Sequence, residues 1–297
     1  EYGPDMILVQ GDTATVFFAS VVAFFEKVVV GHVESGLRTK KKSTPFPEEM
    51  FRRLTDVIAD LHFAPTRQAK ENLEGEGLSP NHIYVTGNTV VDSVLRMVDL
   101  GGEPANQTLG TIIQDDESRL VLLTAHRRES FGDPLRRIFR AARRLTDEHS
   151  DVRLLYPVHP NPNVMEPARE LLSDHSRIHL VDPLSYQDMV SVLRDAVLIL
   201  TDSGGIQEEA PTFGVPVLVL REETERPEGL EAGTVTLVGT DEEKIVVEGS
   251  RILQQGRGRE RNKVNPFGDG RAGERIADII LAHLTGSPRS MTDWPGP

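Results

Sequence analysis

Short apolar segments alternate with longer amphipathic segments along most of the chain. The short segments are rich in Val, Leu and Ile, and they predict strands over residues 5–10, 28–33, 119–125, 152–158, 178–182, 196–200 and 215–220. Helical stretches lie between nearly all of them, with apolar residues recurring at helical spacing. Continuous apolar strands separated by helices are typical of parallel sheets that are covered on both faces. The pattern therefore predicts an α/β fold of two doubly wound, Rossmann-like domains.

A polar stretch over residues 99–118, with Gly, Pro and a charge cluster, interrupts this alternation. It is typical of an inter-domain connection. We therefore expect an N-terminal domain over residues 1–98 and a C-terminal domain over residues 99–270. The last residues, 286–297, contain Pro, Gly and the only Trp, and they predict a disordered tail.

Composition narrows the classes of function. The net charge of −13 argues against affinity for nucleic acid or an anionic membrane, so a site for an anionic substrate needs local positive charge. The chain has no Cys, which excludes disulfides, thiolate nucleophiles and zinc–thiolate sites and fits a cytoplasmic protein. No apolar run reaches the ~18–20 residues of a membrane span. A kinase-type P-loop and a dinucleotide-binding glycine pattern are both absent from the sequence.

Polar residues follow the predicted strands at their carboxyl ends. They include Asp12, Glu34, His126 with Arg127, His159, and the stretch "TDSGGIQEE" that begins at Thr201. Taken singly, each has an ordinary explanation, such as helix capping or a surface ion pair. Ligands of parallel sheets bind outside these strand ends, so the whole set favours a site between the two domains.

The stretch after residue 200 has the chemistry of an anion site. A hydroxyl and unhindered backbone N–H groups suit a phosphate or diphosphate there, and they come from Ser203, Gly204 and Gly205. Glu209 is placed to accept hydrogen bonds from a ribose diol, whereas Glu208 is expected only to stabilise the helix dipole. Arg226, in a loop beyond the next strand, is within reach of a phosphate.

The N-terminal half supplies carboxylates instead. Asp12 and Glu34 follow strands, and Glu48 begins a helix directly after Pro47. Several carboxylates facing an anion site indicate proton transfer rather than anion binding.

A series of motifs in this order closely resembles the non-hydrolysing UDP-N-acetylglucosamine 2-epimerases. The motifs are "GDTATVFFAS", "GHVESGLRT", "PFPEEMFRRLTD", "FAPT", "VTGNTVVD", "TAHRRESFG", "YPVHPNPNV", "TDSGGIQEEAPTFGVPVLVLREETERPEG" and "NPFGDGRAGERI". The resemblance runs from about residue 5 to about residue 284. It implies the two-domain fold of GT-B glycosyltransferases, with the final helix, residues 271–284, returning to the first domain.

The resemblance also implies the reaction. Family members interconvert UDP-GlcNAc and UDP-ManNAc without NAD or another cofactor, by eliminating UDP to give 2-acetamidoglucal and adding it back. Asp12, Glu34 and Glu48 match the acid/base carboxylates, with the C2 base left unassigned among them. His126 would contact the leaving diphosphate.

Further positions are implied in the same way. Ser203, Gly204, Gly205 and Arg226 would hold the phosphates, and Glu209 the ribose. The segment "DPLSYQDM" matches the uracil loop and gives Leu184 and Met189 as positional matches. Arg127 and His159 match positions at which bacterial members bind a second UDP-GlcNAc as activator. Homodimers are common in the family.

Family members carry further βα units before the "GDT" strand, with a basic UDP-binding segment and a glutamine motif of the activator site. Neither is present, so we expect an N-terminally truncated sequence. Three alternatives stay open from the sequence. They are a hydrolysing 2-epimerase that releases ManNAc and UDP, a GT-B glycosyltransferase, and a catalytically impaired nucleotide-sugar-binding protein.

Overall fold

The structure, a computed structural model, describes residues 3–39, 41–101, 104, 107–113, 118–255 and 265–297. Internal contacts divide the chain into two compact units. The first comprises residues 1–93 and 265–297, and the second comprises residues 94–264. The chain thus passes from one unit to the other at Ser93, inside a helix, and not at the expected residue 98. It returns at Asn265, shortly before the final helix.

The secondary structure alternates along both units. The strands are β1 (Met6–Gln10), β2 (Val29–Val33), β3 (Leu61–Ala64), β4 (Ile83–Val85), β5 (Arg119–Thr124), β6 (Val152–Pro157), β7 (Ile178–Val181), β8 (Leu198–Thr201), β9 (Val217–Val219) and β10 (Val235–Leu237). The helices are α1 (Ala14–Glu26), α2 (Glu48–Ile58), α3 (Arg67–Gly75), α4 (Thr89–Asp99), α5 (Gln107–Ile113), α6 (Asp133–Glu148), α7 (Pro162–Leu172), α8 (Tyr186–Asp195), α9 (Gly204–Glu209), α10 (Pro227–Glu231), α11 (Glu242–Gln254) and α12 (Ala272–Thr285).

The first unit contains one parallel sheet in the order β1-β2-β3-β4. Alternate residues of a strand point to opposite faces of the sheet, and a different helix packs against each face. Val9 and Val30 pack with Ala23 of α1, whereas Phe63 packs with Ile276 of α12. The final helix therefore completes the core of the first unit on the face opposite α1.

The C-terminal tail is packed, which corrects the prediction that residues 286–297 are disordered. The backbone N–H of Trp294 donates to the carbonyl of Val85 at 2.7 Å, and Asp293 accepts from the backbone N–H of Val85 at 3.1 Å. Trp294 is only 5% exposed. The tail thus satisfies backbone groups at the end of the edge strand β4, and an unpaired sheet edge readily accepts such a segment.

The second unit contains a larger parallel sheet in the order β10-β9-β8-β5-β6-β7. Neighbouring residues of β5 belong to different cores, because Leu123 packs in the cluster that includes α6 and Leu122 in the cluster that includes α8. This sheet is covered on both faces, and the prediction of two parallel α/β units is confirmed. The strand order reverses between β5 and β8, and such a reversal opens a crevice at the carboxyl ends of the two strands.

The predicted connection over residues 99–118 is partly helical. It contains α5, and Leu109 of this helix is buried within the second unit, in the cluster of Leu120 and Val192. Residues 102, 103, 105, 106 and 114–117 lie outside the described residues. Within the part of the chain that the structure describes, no helix is both long and apolar enough to cross a bilayer.

Candidate active site

Asp202 joins the two strand ends at the reversal point of the second sheet. It follows β8 directly and is completely buried. Its Oδ2 accepts hydrogen bonds from the backbone N–H groups of His126 (2.7 Å) and Arg127 (2.8 Å), which follow β5. Its Oδ1 lies 3.4 Å from Nδ1 of His126. One carboxylate thereby holds the backbone at residues 126 and 127 and lies close to the His126 ring, beside the "SGG" segment.

His126 and His159 form a stacked pair. Their ring centroids are 5.5 Å apart and their planes differ by 7°. His159 follows β6, and its Nδ1 accepts from the backbone N–H of Asn161 at 3.1 Å. The structure therefore brings His126 and His159 together, although the sequence placed them at the ends of two different strands; Arg127 is the direct neighbour of His126.

Arg226 lies directly over Gly204. A Cβ atom built on Gly204 would stand 2.6 Å from Nη1 of Arg226, so a larger residue at this position would have to displace the guanidinium group. Arg226 is 7% exposed, its Nε donates to Glu208, and its Nη1 donates to Glu225. Glu208 is thus an ion-pair partner of Arg226, which is a larger role than the helix-dipole effect expected for it.

The charge around Arg226 is set by buried carboxylates. Burial alone would raise the pKa of Glu225, but the charges of Arg226 and Arg221 outweigh it and hold that pKa well below its ordinary value. Glu225 therefore stays ionised and orients two guanidinium groups. Ser203 directly precedes α9 at the N-cap position and makes no capping bond through its side chain, while its backbone N–H donates to Thr201 Oγ1 at 3.0 Å.

Glu209 and Tyr186 form a hydrogen-bonded pair. Burial raises the pKa of Glu209, and the hydrogen bond from Tyr186 opposes part of that shift. Burial, together with the charge of Glu209, raises the pKa of Tyr186 as well. The tyrosine is the first residue of α8, directly after the loop that carries Leu184, and the sequence indicated no role for it. It connects this loop to the carboxylate that was predicted to bind ribose.

Leu184 lines a cavity of about 460 Å³ in the second unit. Polar and apolar side chains share its wall, and they include Leu109, Val158, Met165, Arg169, Asp182 and Asp188. Met189 is partly buried and packs against the core cluster that contains Leu193. Of the two uracil-loop positions, Leu184 is therefore the one that borders this open space.

Asp12 and Glu34 follow the neighbouring strands β1 and β2 in the first unit. Asp12 Oδ2 accepts a hydrogen bond from Nη2 of Arg52 on α2. Glu34 has a φ of +66°, a left-handed conformation that is uncommon for a residue with a side chain. Its Oε2 is 3.8 Å from the Cβ position of Gly11, so both carboxylates lie around the Gly11–Asp12 backbone.

Glu48 is half-buried at the first position of α2, the helix that also carries Arg52. The next residue, Glu49, is completely buried, accepts from the backbone N–H of Thr39 at 3.2 Å and lies 3.5 Å from Nη1 of Arg52. Arg52 thus stands between two carboxylates and ties α2 to the end of β1. The sequence predicted Asp12 as a site residue, but neither Glu49 nor this arginine.

Two parallel α/β units, one with a strand-order reversal beside glycines and arginine and one with clustered carboxylates, define a nucleotide-binding class of fold. Residues 1–281 match the model of the family described as UDP-N-acetylglucosamine 2-epimerase. The chain therefore belongs to this family, and the resemblance found in the motifs is confirmed. The placement of a site between the two units stays a prediction.

Two curated relatives are similar over most of the chain. The UDP-N-acetylglucosamine 2-epimerase of Bacillus subtilis (strain 168) is 48% identical over 285 residues, which cover 94% of this chain and 73% of the relative. The enzyme of the same name from Escherichia coli (strain K12) is 44% identical over 289 residues, covering 94% and 76%.

Two solved structures are similar in fold and sequence. A Staphylococcus aureus MnaA–UDP structure has a TM-score of 0.92 and 44% identity, covering 98% of this chain and 79% of that one. A UDP-GlcNAc 2-epimerase from Neisseria meningitidis, bound to UDP-GlcNAc, has a TM-score of 0.87 and 40% identity, covering 94% and 76%.

Proposed function

We propose that the chain interconverts UDP-GlcNAc and UDP-ManNAc by eliminating UDP and adding it back. The observation that carries this proposal is the pair of carboxylates, Asp12 and Glu34, at the ends of adjacent strands in a member of this family. A carboxylate pair around one short backbone segment supports proton removal and return. A plain sugar-nucleotide binder would have no use for it.

The reaction balances as two reversible steps. A carboxylate base removes the C2 proton, the electron pair forms the C1–C2 double bond, and the bond from C1 to the UDP oxygen breaks. UDP then adds to C1 of the 2-acetamidoglucal while a carboxylic acid returns a proton to the other face of C2. Asp12, Glu34 and Glu48 are the proposed acid and base groups.

The second unit would hold the leaving group. Backbone N–H groups and the hydroxyl of the "SGG" segment would bind the diphosphate, from Ser203, Gly204 and Gly205. Arg226 would add charge from above Gly204, and His126, whose backbone N–H donates to Asp202, would stabilise the departing oxygen. Fixed donors of this kind favour the charge that develops on UDP and therefore lower the barrier to elimination.

The nucleoside would be held by the loop before α8 and by the first turns of that helix. The carboxylate of Glu209 is hydrogen-bonded to Tyr186 and would accept hydrogen bonds from the ribose diol. Leu184 and the cavity beside it would take the uracil, and Met189 would support the loop from the core side. Arg127 and His159 would bind the second UDP-GlcNAc, and the stacking of His159 on His126 would connect that site with catalysis.

The assembly and location belong to the same proposal. We expect a homodimer in the cytoplasm. Phe18, Val22 and Phe25 share one face of α1 and are 60%, 61% and 75% exposed, which supports a protein contact there.

Product analysis tests the proposal. The protein is incubated with UDP-GlcNAc, and the products are separated by anion-exchange chromatography and examined by NMR. We expect UDP-ManNAc at equilibrium with UDP-GlcNAc. Free ManNAc and UDP in equal amounts would instead establish the hydrolysing reaction, and an unchanged substrate that still binds would indicate an impaired binding protein.

A further inference from the structure

A buried ionic cluster lies beneath the carboxylates of the first unit. Asp56 on α2 is completely buried and accepts hydrogen bonds from His32 Nδ1 (2.5 Å), Ser35 Oγ (2.6 Å) and Arg38 Nη2 (2.7 Å). Arg38 also donates to Glu76 at 2.7 and 2.8 Å. The proposed reaction uses none of these groups directly, yet buried charges persist only where they are paired and hydrogen-bonded.

The hydrogen-bond partners of His32 define its charge. Its Nε2 lies 2.8 Å from the carbonyl oxygen of Gly11, which can only accept, and its Nδ1 faces the carboxylate of Asp56. Both ring nitrogens must therefore carry hydrogen, which makes the ring an imidazolium. Burial would lower the pKa of His32, but Asp56 and the two hydrogen bonds outweigh it and raise this pKa.

Asp56 is ionised for the same reason. Burial would raise its pKa, but the charge and hydrogen bond of His32, with Arg38 beyond, hold the pKa well below its ordinary value. The charged groups that face the imidazolium are thus Asp56 from α2 and Glu34 from the end of β2, while His62 of β3 lies 3.7 Å from the same Asp56 oxygen.

Each of the residues His32, Ser35 and Asp56 connects the cluster to a backbone segment that carries one of the proposed acid/base carboxylates. His32 holds the Gly11 carbonyl, which directly precedes Asp12. Ser35 directly follows Glu34, at the left-handed turn. Asp56 itself lies on α2, the helix that begins with Glu48. One buried carboxylate therefore connects three backbone segments that must keep a fixed geometry.

We propose that Asp56 and the His32 imidazolium are positioning residues that hold Asp12, Glu34 and Glu48 in their reactive arrangement. This inference rests on the proposed function, because it assigns the carboxylates to the epimerase reaction. The positive charge of His32 also attracts Glu34 and offsets the repulsion between the clustered carboxylates.

A pair of variants separates the two arms of His32. In H32Q the amide nitrogen stands near the place of Nε2 and keeps the bond to the Gly11 carbonyl, whereas in H32N it stands near Nδ1 and keeps the bond to Asp56. Both lose the positive charge. The activity is measured as C2 exchange, the replacement of the sugar's C2 proton by deuterium from the solvent. We expect kcat for C2 exchange to fall about 100-fold in H32N, the loss that misplacement of reacting groups produces. The decrease should be smaller in H32Q.

A matched serine pair provides the control. Ser35 and Ser20 are both completely buried, but the Ser20 hydroxyl donates to the Val16 carbonyl within α1 at 2.9 Å, whereas the Ser35 hydroxyl donates to Asp56. S35A should lower kcat while KM and the Kd for UDP change less than twofold, and S20A should leave all three unchanged. Equal kcat values for wild type, H32N and S35A, all folded by circular dichroism, would overturn the proposal.

Two measurements do not depend on activity. ¹⁵N NMR of the ring should show both His32 nitrogens protonated at pH 7, and an unprotonated nitrogen would overturn the imidazolium. Backbone amide exchange at residues 12 and 13 should be faster in H32N than in H32Q and S20A, and equal rates would overturn the positioning role. If the wild type does no C2 exchange, the proposed function fails while these two results still decide whether the cluster fixes the segment.

Discussion

In the two units, the groups that support the candidate site residues carry charges of opposite sign. In the first unit, cations support the carboxylates. His32 donates to the carbonyl of Gly11, the residue before Asp12, and Arg52 donates to Asp12 itself. In the second unit, carboxylates stand behind donors and cations, as Asp202 does behind His126 and Glu208 does behind Arg226.

This contrast matches the charge that each unit would meet. A group that binds a diphosphate must be positive, and a buried carboxylate that orients it lowers the cost of holding it in place. A group that removes a proton must be a carboxylate, and clustered carboxylates repel one another unless cations lie between them. The supporting charges are therefore the inverse of the functional ones.

The largest effect should come from the carboxylates. D12N and E48Q should each lower the rate of C2 exchange by about 10²–10⁴-fold, the usual contribution of a general acid or base. Binding of UDP, measured by calorimetry, should remain within twofold of the wild type. Near-normal exchange in both variants would remove Asp12 and Glu48 from the mechanism.

The next effect concerns the phosphate side. G204A places a methyl group 2.6 Å from the Arg226 guanidinium, and overpacking of this kind costs about 1–3 kcal/mol. The Kd for UDP should rise by about 10-fold or more. A Cβ at Gly75 meets no atom within 4 Å, so G75A is the control and should bind UDP normally. Equal Kd values in the two variants would contradict the close packing of Arg226 on the glycine.

A smaller effect appears in the pH dependence of stability. Because the pKa of His32 is raised in the folded state, its ion pair contributes stability below the unfolded value of about 6.5 and loses it as pH rises through the raised folded value. The difference in unfolding free energy between wild type and H32Q should therefore shrink between pH 6 and pH 9. Denaturant unfolding across this range measures it, and a constant or growing difference would contradict a buried imidazolium.

The smallest effect should come from Glu209, the carboxylate that we propose binds the ribose. Y186F removes the hydrogen bond to Glu209, which contributes about 0.5–1.5 kcal/mol, so the Kd for UDP should rise severalfold. The rise should be smaller for 2′-deoxy-UDP, which lacks one hydroxyl of the diol. Equal rises for both ligands would separate Tyr186 from ribose recognition.

The sequence predicted the elements that carry continuous apolar runs. β5 and β6 are interior parallel strands, and their Val and Leu residues are buried on both faces. The resulting run of apolar residues is a local feature of the sequence, so it could be recognised there. β10 was missed because Val235–Leu237 is a short edge strand with only weak alternation. The tail was wrongly predicted as disordered because its pairing with Val85 depends on a contact 209 positions away in the chain.

The same limit applies to the site. Strand-end residues such as Asp12 and Ser203 could be found because parallel sheets collect ligands at that edge. Asp56, Arg52 and Tyr186 lie inside ordinary helical sequence, and only tertiary packing brings them to their partners. Asp202 was visible next to the glycines, but its two backbone hydrogen bonds to the neighbouring strand end could not be read from spacing.

Deuterium incorporation at C2 distinguishes an epimerase from a protein that only binds the nucleotide sugar. The wild-type protein is incubated with UDP-GlcNAc in D₂O, and the sugar nucleotides are examined by NMR and mass spectrometry. We predict that one deuterium enters at C2 of UDP-ManNAc and of the recovered UDP-GlcNAc, because each passage through the glucal exchanges that proton. Binding of UDP with no deuterium at C2 would contradict removal of the C2 proton by this protein.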